Sequence, residues 1–171
     1  GANMFVYYTE EEPRDVVAPD LFVARGIPNR ERRVYKVWEE RKAPDMVIEL
    51  TSVGTRLEDL GTKKALYAQL GVREYFVFDP FGEYLKPMLR GYRLAGDEYV
   101  REDGDRLTSQ VLGLELRTEG AALRLYHPVH GKLLAPLEAQ AARRAAEKRA
   151  ATAETELEKV RAELERLHAR K

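Results

Sequence analysis

A charge set inside an apolar strand constrains this chain more than any other feature of its sequence. In Pro44-Asp45-Met46-Val47-Ile48-Glu49-Leu50-Thr51-Ser52, the residues Met46, Val47, Ile48 and Leu50 form a β-prone run, the pattern of a strand buried on both faces. Glu49 lies within it. A carboxylate withdrawn from water is unstable unless a cation, a metal or hydrogen bonds replace its hydration, so a functional reading starts at Glu49. The turn-forming Thr51-Ser52-Val53-Gly54-Thr55 follows, then a helix predicted over Leu57 to Leu70, with Thr55 as its cap. Glu58 and Asp59 in the first turn favour the helix dipole, Leu60, Leu66, Tyr67 and Leu70 mark an apolar side, and Gly71 closes it. Glu74-Tyr75-Phe76-Val77-Phe78 reads at once as another strand. Strand, helix and strand in this order make a right-handed crossover with parallel strands, and hence an α/β fold with a mixed sheet and flanking helices.

A second apolar run is also broken by one acid: Val16 to Ala24 contains Asp20. With the alternating Met4 to Tyr8 segment it reads as a hairpin, which sets Asp20 and Glu49 on adjacent or nearby strands. Lys63 and Lys64 lie on the helix that follows Glu49. Two acids and a lysine converging on one sheet suit phosphodiester hydrolysis assisted by Mg2+ or Mn2+. Hard cations prefer carboxylate oxygen, from Asp20 and Glu49 with the backbone carbonyl after Glu49, and a lysine ammonium orients the attacking water or stabilises the pentavalent phosphorus. The pattern alone equally admits a turn-capping Asp20, a Glu49 in a buried ion pair with Lys63 or Arg73, and an exposed Lys63.

Between these runs, Glu31 to Lys42 is dense in charge around Trp38, its single large anchor. With Arg30 just before it, the segment offers Arg32, Arg33 and Lys36 as either a phosphate-facing cluster or part of a solvated loop. After Pro80, Gly82 and Pro87, hairpin-sized β segments are predicted at Gly91 to Leu94, Glu98 to Arg101, Leu112 to Arg117 and Leu123 to Tyr126. His127 and His130 punctuate a turn around Pro128 and Gly131. From Leu137 to Lys171 there is no glycine or proline, and Leu157, Val160, Leu164 and Leu167 repeat at heptad spacing. The expected organisation is one domain over residues 1–135 and a long coiled-coil-like helix over 136–171 through which the chain forms a homo-oligomer.

At 171 residues the chain holds one core of ordinary size and an extension. The absence of cysteine excludes thiolate zinc, disulfides and thiol catalysis, and makes the cytoplasm the default compartment. No apolar run is long enough to span a bilayer, so no membrane partner is expected. Basic and acidic residues balance at 29 each, so net charge is no evidence for a nucleic-acid partner.

Pro19-Asp20-Leu21-Phe22-Val23, then Ala43-Pro44-Asp45 through Glu49-Leu50-Thr51-Ser52, then Thr55, Asp59, Lys63, Tyr67 and Gly71-Val72-Arg73-Glu74 through Asp79-Pro80 resemble the Uma2 family of restriction-endonuclease-like proteins. The resemblance runs from about Asn3 to Leu134. It implies the fold and chemistry of the PD-(D/E)XK nuclease superfamily: a mixed sheet flanked by helices, a site for magnesium or manganese, and DNA as substrate. Carried over, Asp20 is the acid of the Pro-Asp pair, and Glu49 is the acid of a Glu-x-Lys motif whose lysine position holds Thr51. Asp20 and Glu49 are then the metal ligands. The lysine has moved to the following helix as Lys63, with Asp59 one turn away to position it. The family's amino-terminal helices and first strand have no counterpart in the resemblance, which with the heptad seam supports an alternative. In it the chain is a catalytically incomplete nuclease fold that serves as a dimeric interaction module. A third class, a metal-independent nucleic-acid binder, would rest on Arg30, Arg32, Arg33 and Lys36.

Overall fold

In the computed structural model, which describes residues 4–133, the elements run β1 (Val6–Tyr7), β2 (Val16–Val17), β3 (Leu21–Val23), β4 (Tyr35–Lys36), α1 (Val37–Glu40) and β5 (Met46–Leu50). A π-helical turn (Glu58–Thr62) then leads into α2 (Lys63–Gln69), followed by β6 (Glu74–Phe78), β7 (Leu89–Ala95), β8 (Glu98–Asp103), β9 (Arg106–Ser109), β10 (Leu114–Glu119), β11 (Ala122–His127) and β12 (Gly131–Lys132). The strands form three sheets instead of the single mixed sheet expected: β2-β1-β4, β3-β5-β6-β7-β8 and β12-β11-β10-β9.

The central sheet is mixed because β5 and β6 are parallel while every other neighbouring pair within it is antiparallel. Parallel neighbours need a crossover, and the π turn with α2 supplies it, as the strand-helix-strand pattern predicts. Both faces of β5 and β6 are covered, so all five residues of β6 are buried. Side chains alternate between two cores. Val47, Tyr75 and Val77 pack with Tyr67, Val72 and Leu85 on the helix side. Met46, Ile48, Phe76 and Phe78 pack with Leu89, Leu107, Val111 and Leu116 on the side of the β9–β12 sheet. Burying each such side chain contributes about 1.5–3 kcal/mol, so the sheet between these cores is the rigid platform of the molecule. Gly91 on β7 is required by the second core, since a Cβ there would stand 3.0 Å from Leu107 Cδ1 and 3.1 Å from Phe76 Cε1.

Several local expectations are corrected. The Val16 to Ala24 run is two strands: β2 pairs with β1 as the predicted hairpin, and after the break at Pro19 and Asp20, β3 joins the central sheet against β5. Proline lacks the N–H that a continuous ladder needs, so the chain changes sheets there. The predicted helix is present, but its first part is π-helical, around Gly61, where the glycine gives little support to a regular α turn. Thr55 is not its cap; its hydroxyl accepts the Ser52 N–H at 3.1 Å, one half of a capping box that begins at Ser52. In the Glu31 to Lys42 segment Tyr35, not Trp38, is the buried anchor, edge-on to Phe22 with ring centroids 5.1 Å apart. The later β segments lie near their expected positions, with β9 and β12 as additions. The predicted helix over 136–171 and the boundary before it lie outside the described residues.

Candidate active site

Residue alternation on β5 turns Glu49 to the same face as Val47, toward the π turn and α2, and leaves it 1% exposed. Asp20 stands at the start of β3, directly beyond the Leu21–Ile48 register pair, so the two acids meet across neighbouring strands. The backbone ties them reciprocally: the Asp20 N–H donates to Glu49 Oε2 at 3.3 Å, and the Leu50 N–H donates to Asp20 Oδ2 at 2.7 Å. Asp20 Oδ1 receives no donor from the described residues and the side chain is partly open to solvent.

The helix supplies the third wall. Tyr67 donates its hydroxyl to Glu49 Oε1 at 2.8 Å, and Lys63 Nζ lies 3.2 Å from the same oxygen. Lys63 is also 2.9 Å from Asp59 Oδ1 on the π turn. Asp59 is 1% exposed and its Oδ2 is buried with no hydrogen-bond partner. Tyr75 on β6 donates to the Asp59 carbonyl at 2.9 Å and packs against Tyr67 with ring centroids 5.1 Å apart, fixing the turn to the sheet. Asp20, Glu49 and Lys63 are therefore brought together as expected, and Glu49 pairs with Lys63. Arg73 pairs instead with Asp45, at 2.6 Å.

Electrostatics mark Glu49 as an under-compensated charge. Burial pushes its carboxyl up to about 7, and the charge of Lys63 and the hydrogen bonds from Tyr67, the Asp20 N–H and Lys63 pull it back only in part. Burial alone would lower the Lys63 ammonium, yet the hydrogen bond to Asp59 and the charges of Glu49 and Asp59 outweigh it and the group is raised. The lysine is a fixed cation between two acids. Burial and the charge of Glu49 raise the Tyr67 hydroxyl well above its ordinary value, so it stays a donor.

Among the described residues no group of three or more His, Asp and Glu is placed to hold a metal ion by itself. What the site offers is two carboxylates with a free oxygen on Asp20 and a weakly held one on Glu49, at a partly open rim. That donor set fits a hard, oxygen-seeking divalent cation that keeps several of its waters, and does not fit a soft metal. Thr51, two residues after Glu49, is buried with its Oγ1 unpartnered.

Two features absent from the sequence argument complete the site: the Tyr67 hydroxyl and the Tyr75 clamp. The signal for the first is the spacing of Asp59, Lys63 and Tyr67 at intervals of four. The cluster Arg30, Arg32, Arg33 and Lys36 is largely neutralised. Glu40 takes Arg32 at 2.7 Å and Arg30 at 2.8 Å, and Glu39 takes Lys36 at 2.7 Å. The cleft of about 900 Å3 beside it is lined by Phe22, Ile27, Arg30 and Arg33 but by none of Asp20, Glu49 or Lys63. His127 and His130 stack in a turn, as expected, with His127 Nδ1 accepting the N–H groups of Val129 and His130.

Residues 2–124 match the sequence model of the Uma2 family, described as "Putative restriction endonuclease". Among solved structures, the chain is similar to the crystal structure of a putative nuclease belonging to DUF820 from Anabaena variabilis, at 17% identity and a TM-score of 0.43 over 64% of this chain. The match spans 56% of that protein's length. No curated protein matches the chain.

Proposed function

The chain belongs to the Uma2 family, and from that membership and the geometry of its site we propose that it is a metal-dependent endonuclease that hydrolyses phosphodiester bonds of DNA. The observation that carries this reading is the reciprocal bonding of Asp20 and Glu49, which sets two carboxylates side by side at an open rim with an ammonium 3.2 Å from the more buried one. Asp20 and Glu49 would hold Mg2+ or Mn2+. The ion, when bound, lowers the pKa of a coordinated water and neutralises charge developing on the phosphate. Asp20 presents its free oxygen from a backbone-fixed position. Tyr67 keeps Glu49 oriented and favours its ionised form. Lys63, charged because two acids flank it, stabilises negative charge on the phosphoryl oxygens during attack. The sheet and the tyrosines behind the site hold these groups without reorganisation, which is what electrostatic catalysis needs. The heptad seam of residues 157–167 supports a homodimer.

The test is manganese titration of the full chain by calorimetry, with cleavage of single- and double-stranded DNA followed in the same buffer. Binding is expected to be lost in Glu49→Gln and weakened in Asp20→Asn, and cleavage to stop on addition of chelator. Absence of metal binding at millimolar manganese would overturn the reading and favour the interaction module. DNA binding that falls with salt but ignores chelator would point instead to the arginine cluster.

A further inference from the structure

Asp59 holds an anomaly that the proposed chemistry does not use. A buried carboxylate in an ordinary structural role has both oxygens occupied, as Asp79 does: its Oδ1 takes the N–H groups of Phe81 and Gly82, and its Oδ2 those of Tyr84 and Leu85. Asp59 is equally buried, yet only Oδ1 is engaged, by Lys63, and Oδ2 faces no donor. The same lysine stands 3.2 Å from Glu49 Oε1, so in the free protein one ammonium is shared between two acids. A divalent cation at Glu49 and the Lys63 ammonium are like charges drawn to one carboxylate, and both cannot keep it without strong repulsion. By formal charge, Asp20, Glu49 and Asp59 against Lys63 leave the cluster two negative, the charge of one divalent ion.

We infer that Asp59 is a receiving carboxylate for Lys63: the divalent cation displaces the ammonium from Glu49, and Asp59, with an oxygen left open for it, becomes the acid that holds the lysine at the site. The inference rests on the metal reading of Asp20 and Glu49. Asp59 is then a positioning residue. It touches neither metal nor substrate, and it sets metal affinity by offering Lys63 a second seat. The π turn and the Tyr75 hydrogen bond keep that seat from moving with the lysine.

The experiment is a double-mutant cycle on metal affinity, read by manganese calorimetry on the full chain with no DNA present. Asp59→Asn, which keeps the shape and removes the charge, is expected to weaken manganese binding roughly tenfold or more, because Lys63 then clings to Glu49. Lys63→Met is expected to bind manganese more tightly than wild type, and Asp59→Asn with Lys63→Met to recover at least wild-type affinity. A merely structural Asp59 would give a double variant no tighter than Asp59→Asn, and that result, or an Asp59→Asn protein that binds like wild type, would overturn the inference. Should Asp59→Asn not fold, Lys63→Met decides alone: affinity equal to or weaker than wild type would mean that ammonium and metal do not compete. A wild-type protein that binds no manganese would overturn the metal reading and this inference together, whereas metal binding lost in Glu49→Gln but indifferent to Asp59 would remove the inference only.

Discussion

Glu49 and Glu74 are buried acids on neighbouring parallel strands, 1% and 2% exposed, and they are treated in opposite ways. Glu74, on the face of the second core, is saturated. Its Oε2 accepts from Ser109 Oγ at 2.5 Å and the Val111 N–H at 3.3 Å, and its Oε1 from the Gln110 N–H at 2.7 Å and Arg93 at 3.2 Å. It ties the β9–β10 connection to the central sheet. Glu49 shares one lysine with Asp59, takes one tyrosine hydroxyl, and has one long backbone bond. Equal burial therefore carries no functional information; the deficit of partners does. A structural acid is surrounded until its charge is matched, and an acid kept for a cation is left short.

Removing Glu74 should break this comparison most visibly. Glu74→Ala leaves the buried Val111 N–H and Ser109 hydroxyl without their acceptor and takes one of three partners from Arg93, which keeps Glu102 and the Thr108 carbonyl, and is expected to destabilise the fold by about 3 kcal/mol, measured by urea unfolding. Glu49→Gln should do the reverse. The folded protein holds the Glu49 proton more tightly than the unfolded chain, with the carboxyl raised from 4.5 to about 7. Its contribution to stability is fully present below pH 4.5 and is lost as pH rises through about 7. With chelator present, Glu49→Gln is expected to match wild type near pH 4 and exceed it by roughly 1–3 kcal/mol at pH 8. A variant less stable than wild type at pH 8 would show that Glu49 is as well matched as Glu74.

A smaller effect belongs to Tyr67→Phe, which removes the hydroxyl that favours the Glu49 carboxylate. It is expected to cost about 1 kcal/mol and to move the pH midpoint of that stability profile upward. Smallest is Lys36→Ala, which breaks an exposed pair with Glu39 and should change stability by about 0.5 kcal/mol or less, visible only as a slight shift in urea midpoint.

The contrast was half legible in the sequence. A charge within an apolar run marks burial, so Glu49 is readable as an acid that needs a partner, whereas Glu74 reads only as the first residue of the following strand. The partners of Glu74 are not readable, because Ser109, Gln110 and Val111 lie more than thirty residues beyond Glu74 and reach it only through the packing of one sheet on another. The crossover from β5 through the helix to β6 follows from local pattern, since each of its elements has its own period and Gly71, with φ of 75°, ends the helix. The division of Val16 to Ala24 between two sheets did not, although Pro19 marks the place, because a proline says where a ladder stops and not where the chain goes next. Asp20, Glu49 and Lys63 were found from residue type and resemblance together. Tyr67 reads in the sequence as one of the apolar residues of the helix, and its spacing of four from Lys63 and eight from Asp59 is the one local sign that its hydroxyl faces the acids. The arginine cluster was visible as a run of charge, but Glu39 and Glu40 that neutralise most of it were part of the same run, and their pairing is decided by side-chain reach.

The π turn also bears on how much the chain length in this region is free to vary. In a regular α-helix, residues spaced by four and four drift about 80° around the axis, so Asp59 would point well away from Tyr67. The wider turn at Glu58–Thr62 absorbs that drift and brings Asp59, Lys63 and Tyr67 to one side. Loss of one residue at Gly61, where a side chain would meet open space, would let the helix become regular and leave the same three side chains at three-and-four spacing, the ordinary stripe of an α-helix. A chain lacking Gly61 is therefore expected to keep the Asp59 to Lys63 to Glu49 arrangement with its π turn gone.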